Sequence, residues 1–453
     1  MGSNVTFRSK IGLVAATVGS AVGLGNIWRF PAETQANGGA AFLLIYILCV
    51  AVLGLPLMLG EFAIGRAAGS DPISDYKRLS PGSRWWMIGI TGILAAYVIL
   101  CFYTVVAGWT LEYLVDSVSG SLYAATAAGG AEPYKVIMEQ NITSDLKPVI
   151  FSIILILANG AILLGGVQKG IERISNLMMP LLFLLLLVFC VASLTMPGAG
   201  AGMKFFLTPD FSKVTASTVI NAMGQAFFSL SLGMGVLMTY SAYFPKDTRL
   251  GKTSVIVAGC DMLVAIMMGV IIFPAIMTFG LEGETFEGAS LVFVTMPEIF
   301  AHMPMPQLWS TLFFLLLLVA ALTSTISISE VAVRFLQDRF KMTRRKAVIL
   351  VMLPLFLLSP ICSLANGSLS DIQLFGLTIF GMMDFFATNI LLPLGALLMA
   401  LYYIFAAPKG LLRNELTNNG LIKAPYAALV EMLIKWVAPV LILIIFVCTF
   451  IKF

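Results

Sequence analysis

Apolar runs long enough to cross a bilayer recur from one end of this chain to the other, leaving no stretch for a water-soluble domain. About 20 apolar residues in a helix span the hydrocarbon layer. Eleven such segments can be read, at roughly 9–32, 39–65, 84–118, 148–166, 171–196, 216–243, 252–280, 308–340, 344–362, 371–405 and 427–451. The composition agrees, with 59% apolar and 11% charged residues where a soluble domain carries about 25% charged. The expected fold class is therefore an all-α integral membrane protein, one transmembrane domain over residues 1–453.

Two of the segments carry residues that a continuous membrane helix should avoid. The first holds Gly19, Gly23 and Gly25, then Asn26, Arg29 and Pro31. The sixth holds Ser229, Ser231, Gly233 and Gly235. Glycine costs a helix about 1 kcal/mol relative to alanine, and freed backbone groups are tolerated in lipid only where they line a cavity or bind something. The first and sixth helices should thus be discontinuous. They lie five spans apart, so the second enters the membrane from the opposite side. This predicts an inverted repeat of residues 9–196 and 216–405, with 427–451 as an extra helix. Paired interrupted helices in inverted halves point to a transporter's binding site.

Charge sets the orientation. With the N-terminus inside, 21 of the 27 Lys and Arg residues fall on the inner side and 6 on the outer, which predicts a cytoplasmic N-terminus and an extracellular C-terminus. The six cysteines lie in or beside apolar segments with no CxxC spacing and read as core thiols. His302 is the only histidine, and there is no Walker loop, so clustered-histidine metal sites, Ser-His-Asp catalysis and ATP hydrolysis are not expected. The chain does not read as an enzyme. Asp261 lies nine residues past Lys252, about 13 Å along a helix, and an acid at that depth is a functional candidate by default.

Several motifs together resemble the neurotransmitter:sodium symporters. They are the run from Ser20 to Pro31, Asn37 to Phe42, Pro56 with Glu61 and Gly65-Arg66, the break from Ser231 to Gly235, and Thr323-Ser324. The resemblance covers essentially the whole chain. It implies a LeuT-type fold of five plus five inverted helices in the plasma membrane of a bacterium. It also implies sodium-coupled symport of an amino acid by alternating access. Two sodium ions are expected. One would take the Ala21 carbonyl, Asn26, Ser229 and Asp261, and the second the Gly19, Val22 and Ala320 carbonyls with the Thr323 and Ser324 hydroxyls. In chloride-dependent relatives an anion sits near the positions matching Tyr46, Gln225, Ser229, Asp261 and Ala265. The Asp261 carboxylate is expected to replace it as counter-charge.

The same resemblance places the substrate. Its carboxylate would meet the Leu24 and Gly25 N–H groups and the Tyr103 hydroxyl, and its ammonium the carbonyls around Ala21, Phe228 and Ser231. Its side chain would lie among Ile99, Tyr103, Phe228, Met234, Ser324, Ser327 and Ile328. None of these is charged, and Met234 adapts to different shapes. Hydrophobic L-amino acids, aliphatic or aromatic, are expected, with tryptophan and leucine as examples. An outer gate would pair Arg29 with Asp384, and an inner gate would use Phe7, Tyr243 and Asp338. Gly170 and Pro180 would mark a hinge where the fifth helix unwinds. The expected partners are this small molecule and the lipid bilayer, with no nucleic acid. The rival readings are a transporter of the same fold driven by protons on Asp261, an amino acid sensor without flux, and an ion channel.

Overall fold

The computed structural model describes residues 6–124, 132–281 and 289–451. Among them, nine helices are long and apolar enough to cross a membrane, and the pair Lys10–Ala21 and Gly25–Ala36, bent by 56°, makes a tenth span. The sixth segment forms two shorter helices, Ala216–Ser229 and Val236–Ser241. The remaining spans follow the apolar runs closely. The second covers Ala40–Ala68, the third Met87–Ser119, the fourth Lys147–Leu164 and the fifth Val167–Leu194. The seventh is Leu250–Phe279, the eighth Pro306–Phe340, the ninth Arg344–Leu364 and the last Ala427–Ile451.

The tenth segment departs from its expected start at residue 371. Its helix begins at Ile379, and the residues before it form a small antiparallel hairpin, Gln373–Leu374 against Leu377–Thr378. The cause is the Phe375-Gly376 pair at the turn, with φ of 53° and 76°, which no right-handed helix accommodates. Apolarity of this stretch reports membrane proximity and says little about helicity.

The third and eighth spans are the most central, with 67% and 78% of their apolar windows buried inside the protein. They pack along each other. The last span has only 28% buried and faces outward. The two broken spans are held at the centre of this arrangement. Packing of the first helix against the fifth, seventh and eighth spans brings its break to the inner core.

The start of the first helix is fixed from outside itself. Ser9 caps it by accepting from the Gly12 amide. Glu172, buried on the fifth span, accepts from the Arg8 amide at 2.8 Å, the Ser9 amide at 3.0 Å and the Ser9 hydroxyl at 2.8 Å. A carboxylate at this end satisfies orphan amides and suits the helix dipole.

Candidate functional site

The first break is short. The helix ends at Ala21, Val22 turns to an extended conformation, and helical geometry resumes at Gly25 as a π-turn through Arg29. The amides freed here find side-chain partners. The Gly23 N–H donates to Asn26 Oδ1 at 3.1 Å and the Leu24 N–H to the Tyr103 hydroxyl at 3.2 Å. The second break runs from Leu230 to Gly235, with Ser231, Gly233 and Gly235 all at positive φ. The Gly233 N–H donates to Glu61 Oε1 at 2.7 Å. The Ser231 hydroxyl donates to the Ser20 carbonyl at 3.0 Å, so the two breaks touch directly.

Between them lies a polar cluster. Asn26 Nδ2 donates to Asp261 Oδ1 and to Ser229 Oγ, each at 2.8 Å, and to the Asp261 carbonyl at 3.1 Å. The Ser229 hydroxyl donates to Asp261 Oδ2 at 2.6 Å, and the Tyr46 hydroxyl lies 3.3 Å from the same oxygen. Asn26, Asp261 and Tyr46 are completely buried. Among the described residues no lysine or arginine pairs with Asp261. A buried carboxylate with two hydroxyls and an amide side chain around it and no cationic side chain can take up a small cation. Gln225, also buried, donates to the Gly25 carbonyl at 3.1 Å and leaves its own Oε1 without a partner. Ala265 is fully buried as well.

A cavity of about 30 Å³ adjoins this cluster, room for roughly one water. Of the residues expected around a substrate, Ala21, Leu24, Gly25, Ile99, Tyr103, Phe228, Ser229, Ser231, Met234, Ser324 and Ile328 all line it. Ser327 does not. Its hydroxyl turns back to the Ser324 carbonyl at 2.8 Å along its own helix. Ser20 and Gly23 also line the cavity and were missed; the small-residue run around them was the available signal. Phe228 lies against Gly25, where an added Cβ would come within 2.7 Å of its ring. The lining is apolar except where backbone, hydroxyls and the Asn26 amide enter, as small-molecule sites usually are.

The residues assigned to a second ion also converge. The Ser324 hydroxyl donates to the Val22 carbonyl at 3.2 Å. A Cβ at Gly19 would stand 3.3 Å from Thr323 Cβ, so the two spans are in contact there. The Thr323 hydroxyl donates to its own helix at Ala320 O, 3.0 Å away.

The gate residues fall into two groups. On the basic side, the buried Phe7 ring packs on Tyr240 and Tyr243, and its amide donates to the Tyr243 carbonyl at 3.2 Å. Arg334 stacks over the Tyr243 ring at 4.4 Å and donates to Asp338 at 2.6 Å, and Ser70 also donates to Asp338 at 2.9 Å. Arg334 therefore links Tyr243 to Asp338. The sequence reading missed Glu330 and Arg344. Glu330, fully buried, accepts from the Tyr243 hydroxyl at 2.6 Å and from both ends of the Arg344 guanidinium at 2.7 and 3.0 Å.

On the opposite side the expected Arg29–Asp384 ion pair is not formed. The Arg29 guanidinium stacks over Phe228 at 5.1 Å and lies 3.9 Å from Glu33, one turn along its own helix. At the expected hinge the fifth span is helical throughout. It begins as a π-turn, Val167–Glu172, that includes Gly170, and Pro180 lies inside the following helix. A Cβ at Gly170 would come within 2.1 Å of the Ile162 carbonyl, so the close turn into this span excludes any side chain.

A profile of the sodium:neurotransmitter symporter family matches residues 4–133 and 135–453. An uncharacterised sodium-dependent transporter of Bacillus subtilis (strain 168), YhdH, is 37% identical over 98% of this chain and 97% of its own length. An uncharacterised sodium-dependent transporter of Haemophilus influenzae is 36% identical over 98% of this chain and 97% of its own length. Among solved structures, MhsT in complex with L-phenylalanine superposes with a TM-score of 0.88 at 39% identity, covering 98% of this chain and 99% of that one.

Proposed function

Since the chain belongs to the sodium:neurotransmitter symporter family, we propose that it carries hydrophobic L-amino acids across the plasma membrane of a bacterium, driven by sodium and independent of chloride. The single observation carrying this reading is the buried Asn26–Ser229–Asp261–Tyr46 cluster beside an apolar cavity where two helix breaks meet. One sodium ion is held by Asp261, Ser229, the Ala21 carbonyl and Asn26, whose amide turns its oxygen inward as the ion enters. The Asp261 carboxylate offsets that charge, so no anion is needed. A second ion sits among the Gly19, Val22 and Ala320 carbonyls with Thr323 and Ser324. The substrate carboxylate meets the freed Leu24 and Gly25 amides and Tyr103, at the positive end of a half-helix. Its side chain displaces Phe228 and Met234 against Ile99 and Ile328. The phenylalanine bound to MhsT supports a substrate of this size and apolarity.

In this reading eleven spans form a five-plus-five inverted repeat and one extra helix, with the N-terminus cytoplasmic and the C-terminus outside. Arg29 and Asp384 close the outer path over Phe228. Phe7, Tyr243 and Asp338 close the inner one. Gly170 and Pro180 frame the stretch of the fifth span that loosens to release the second ion.

Uptake of labelled phenylalanine, leucine and tryptophan into proteoliposomes tests this directly. Accumulation should need inward-directed sodium, vanish when choline replaces it, and persist when gluconate replaces chloride. Sodium-independent uptake, binding without accumulation, or a chloride requirement would each overturn the matching part. One observation favours a second reading, in which Asp261 carries a proton: its carboxylate is fully buried and, among the described residues, has no cationic partner. A pH gradient driving uptake in choline medium would establish it.

A further inference from the structure

Two grooves open on the basic side of the protein, one on each flank of the first turns of the seventh span. One has a volume of about 840 Å³ and runs between the second, seventh and last spans. The other, about 680 Å³, runs between the first, fifth and seventh. Arg249 and Lys252 line both, and Lys423 stands at the first. All three are exposed. Among the described residues none of them forms an ion pair. Lys10 and Asp247, at the second groove, neutralise each other at 3.3 Å. The shared rim therefore carries three uncompensated positive charges.

Below the rim the walls are apolar. Ala51, Leu55 and Leu59 lie on one face of the second span, a track of about 12 Å at helical rise. Val255 and Leu429 opposite them are 60% and 55% exposed. In the second groove Ile11 is 78% exposed. The helix that starts at the rim has Arg249 as its N-cap and no side-chain cap, so its first amides add to the positive field. Charge confined to one end, with apolar channels leading away on both sides, matches a molecule with one anionic head and two hydrocarbon tails.

We infer that this double groove is a site for an anionic phospholipid, with its phosphate at Arg249, Lys252 and Lys423 and one acyl chain in each groove. The chemistry distinguishes it from a general annulus of lipid, which needs no uncompensated cations. It also predicts that occupancy braces the first, second, fifth, seventh and last spans together, since their residues form its walls.

Native mass spectrometry of the detergent-purified protein, titrated with phosphatidylglycerol, phosphatidylcholine or inorganic phosphate, tests the assignment. Phosphatidylglycerol should be retained one to one and phosphatidylcholine lost, with inorganic phosphate failing to compete. The double variant Arg249→Gln/Lys252→Gln should weaken phosphatidylglycerol retention by about thirtyfold and leave phosphatidylcholine unaffected. Val255→Trp, which fills a groove and leaves the charges in place, should also weaken it. These positions are exposed, so the variants should fold, which size-exclusion chromatography checks before titration. Equal retention of both lipids, unchanged binding in the double variant, or displacement by inorganic phosphate would overturn the proposal.

Discussion

The two helix breaks meet at one site, yet they are built differently. The first spans Val22 to Leu24 and contains no residue at positive φ. The glycines in and beside it serve close approach, since an added Cβ would come within 2.8 Å of the Ser324 hydroxyl at Gly23 and within 2.7 Å of the Phe228 ring at Gly25. The second is six residues long, Leu230 to Gly235, and winds through three left-handed residues. Gly233 there is required by its own backbone, and its amide is pinned by the Glu61 carboxylate. A flexible side chain confronts the first break and fixed backbone surrounds the second. The first can adjust around a ligand, whereas the second holds its shape.

Substitutions can break this contrast. Gly233→Ala should be the most damaging, because φ is +82° and the new Cβ would meet the Leu392 carbonyl at 2.3 Å. A loss of at least about 3 kcal/mol is expected, seen as a collapse in monodisperse yield and in thermal stability in detergent. Glu61→Ala leaves the half-buried Gly233 amide without this acceptor and should cost about 1 kcal/mol. Glu61→Gln keeps an acceptor and should restore most of it, and equal loss in both would show that the pin is not the cause. Gly25→Ala should leave thermal stability unchanged, because the clash is with a ring that can turn. It should cut uptake of aromatic amino acids by roughly tenfold and spare smaller ones; a loss of stability comparable to Gly233→Ala would erase the contrast. Ser324→Ala removes one hydroxyl facing Val22 and should raise the sodium concentration for half-maximal uptake by roughly threefold.

Much of this was legible in the sequence because membrane helices announce themselves locally. Apolar length located the spans, and misplaced glycines and serines located the breaks. The lining expected around a substrate came from family motifs, and one cavity gathers all of it but Ser327. Interactions that join distant segments were not legible. Tyr243 and Glu330 lie 87 residues apart, and nothing near either announces that they meet at 2.6 Å. Glu61 could be quoted as part of a motif, but its partner amide belongs to the second break. Arg29 shows the converse: two complementary charges suggested a pair, whereas the guanidinium stacks on the Phe228 ring and lies 3.9 Å from Glu33 on its own helix. The hairpin before Ile379 was hidden because its residues are as apolar as a helix would need.

The attachment of the first helix to Glu172 has a mechanical consequence. Three donors at its start converge on one carboxylate, so they have a common point of failure. Loss of that carboxylate would remove all three at once, and this end of the helix would then be tied down by Phe7 against Tyr243 and by the exposed Lys10–Asp247 pair.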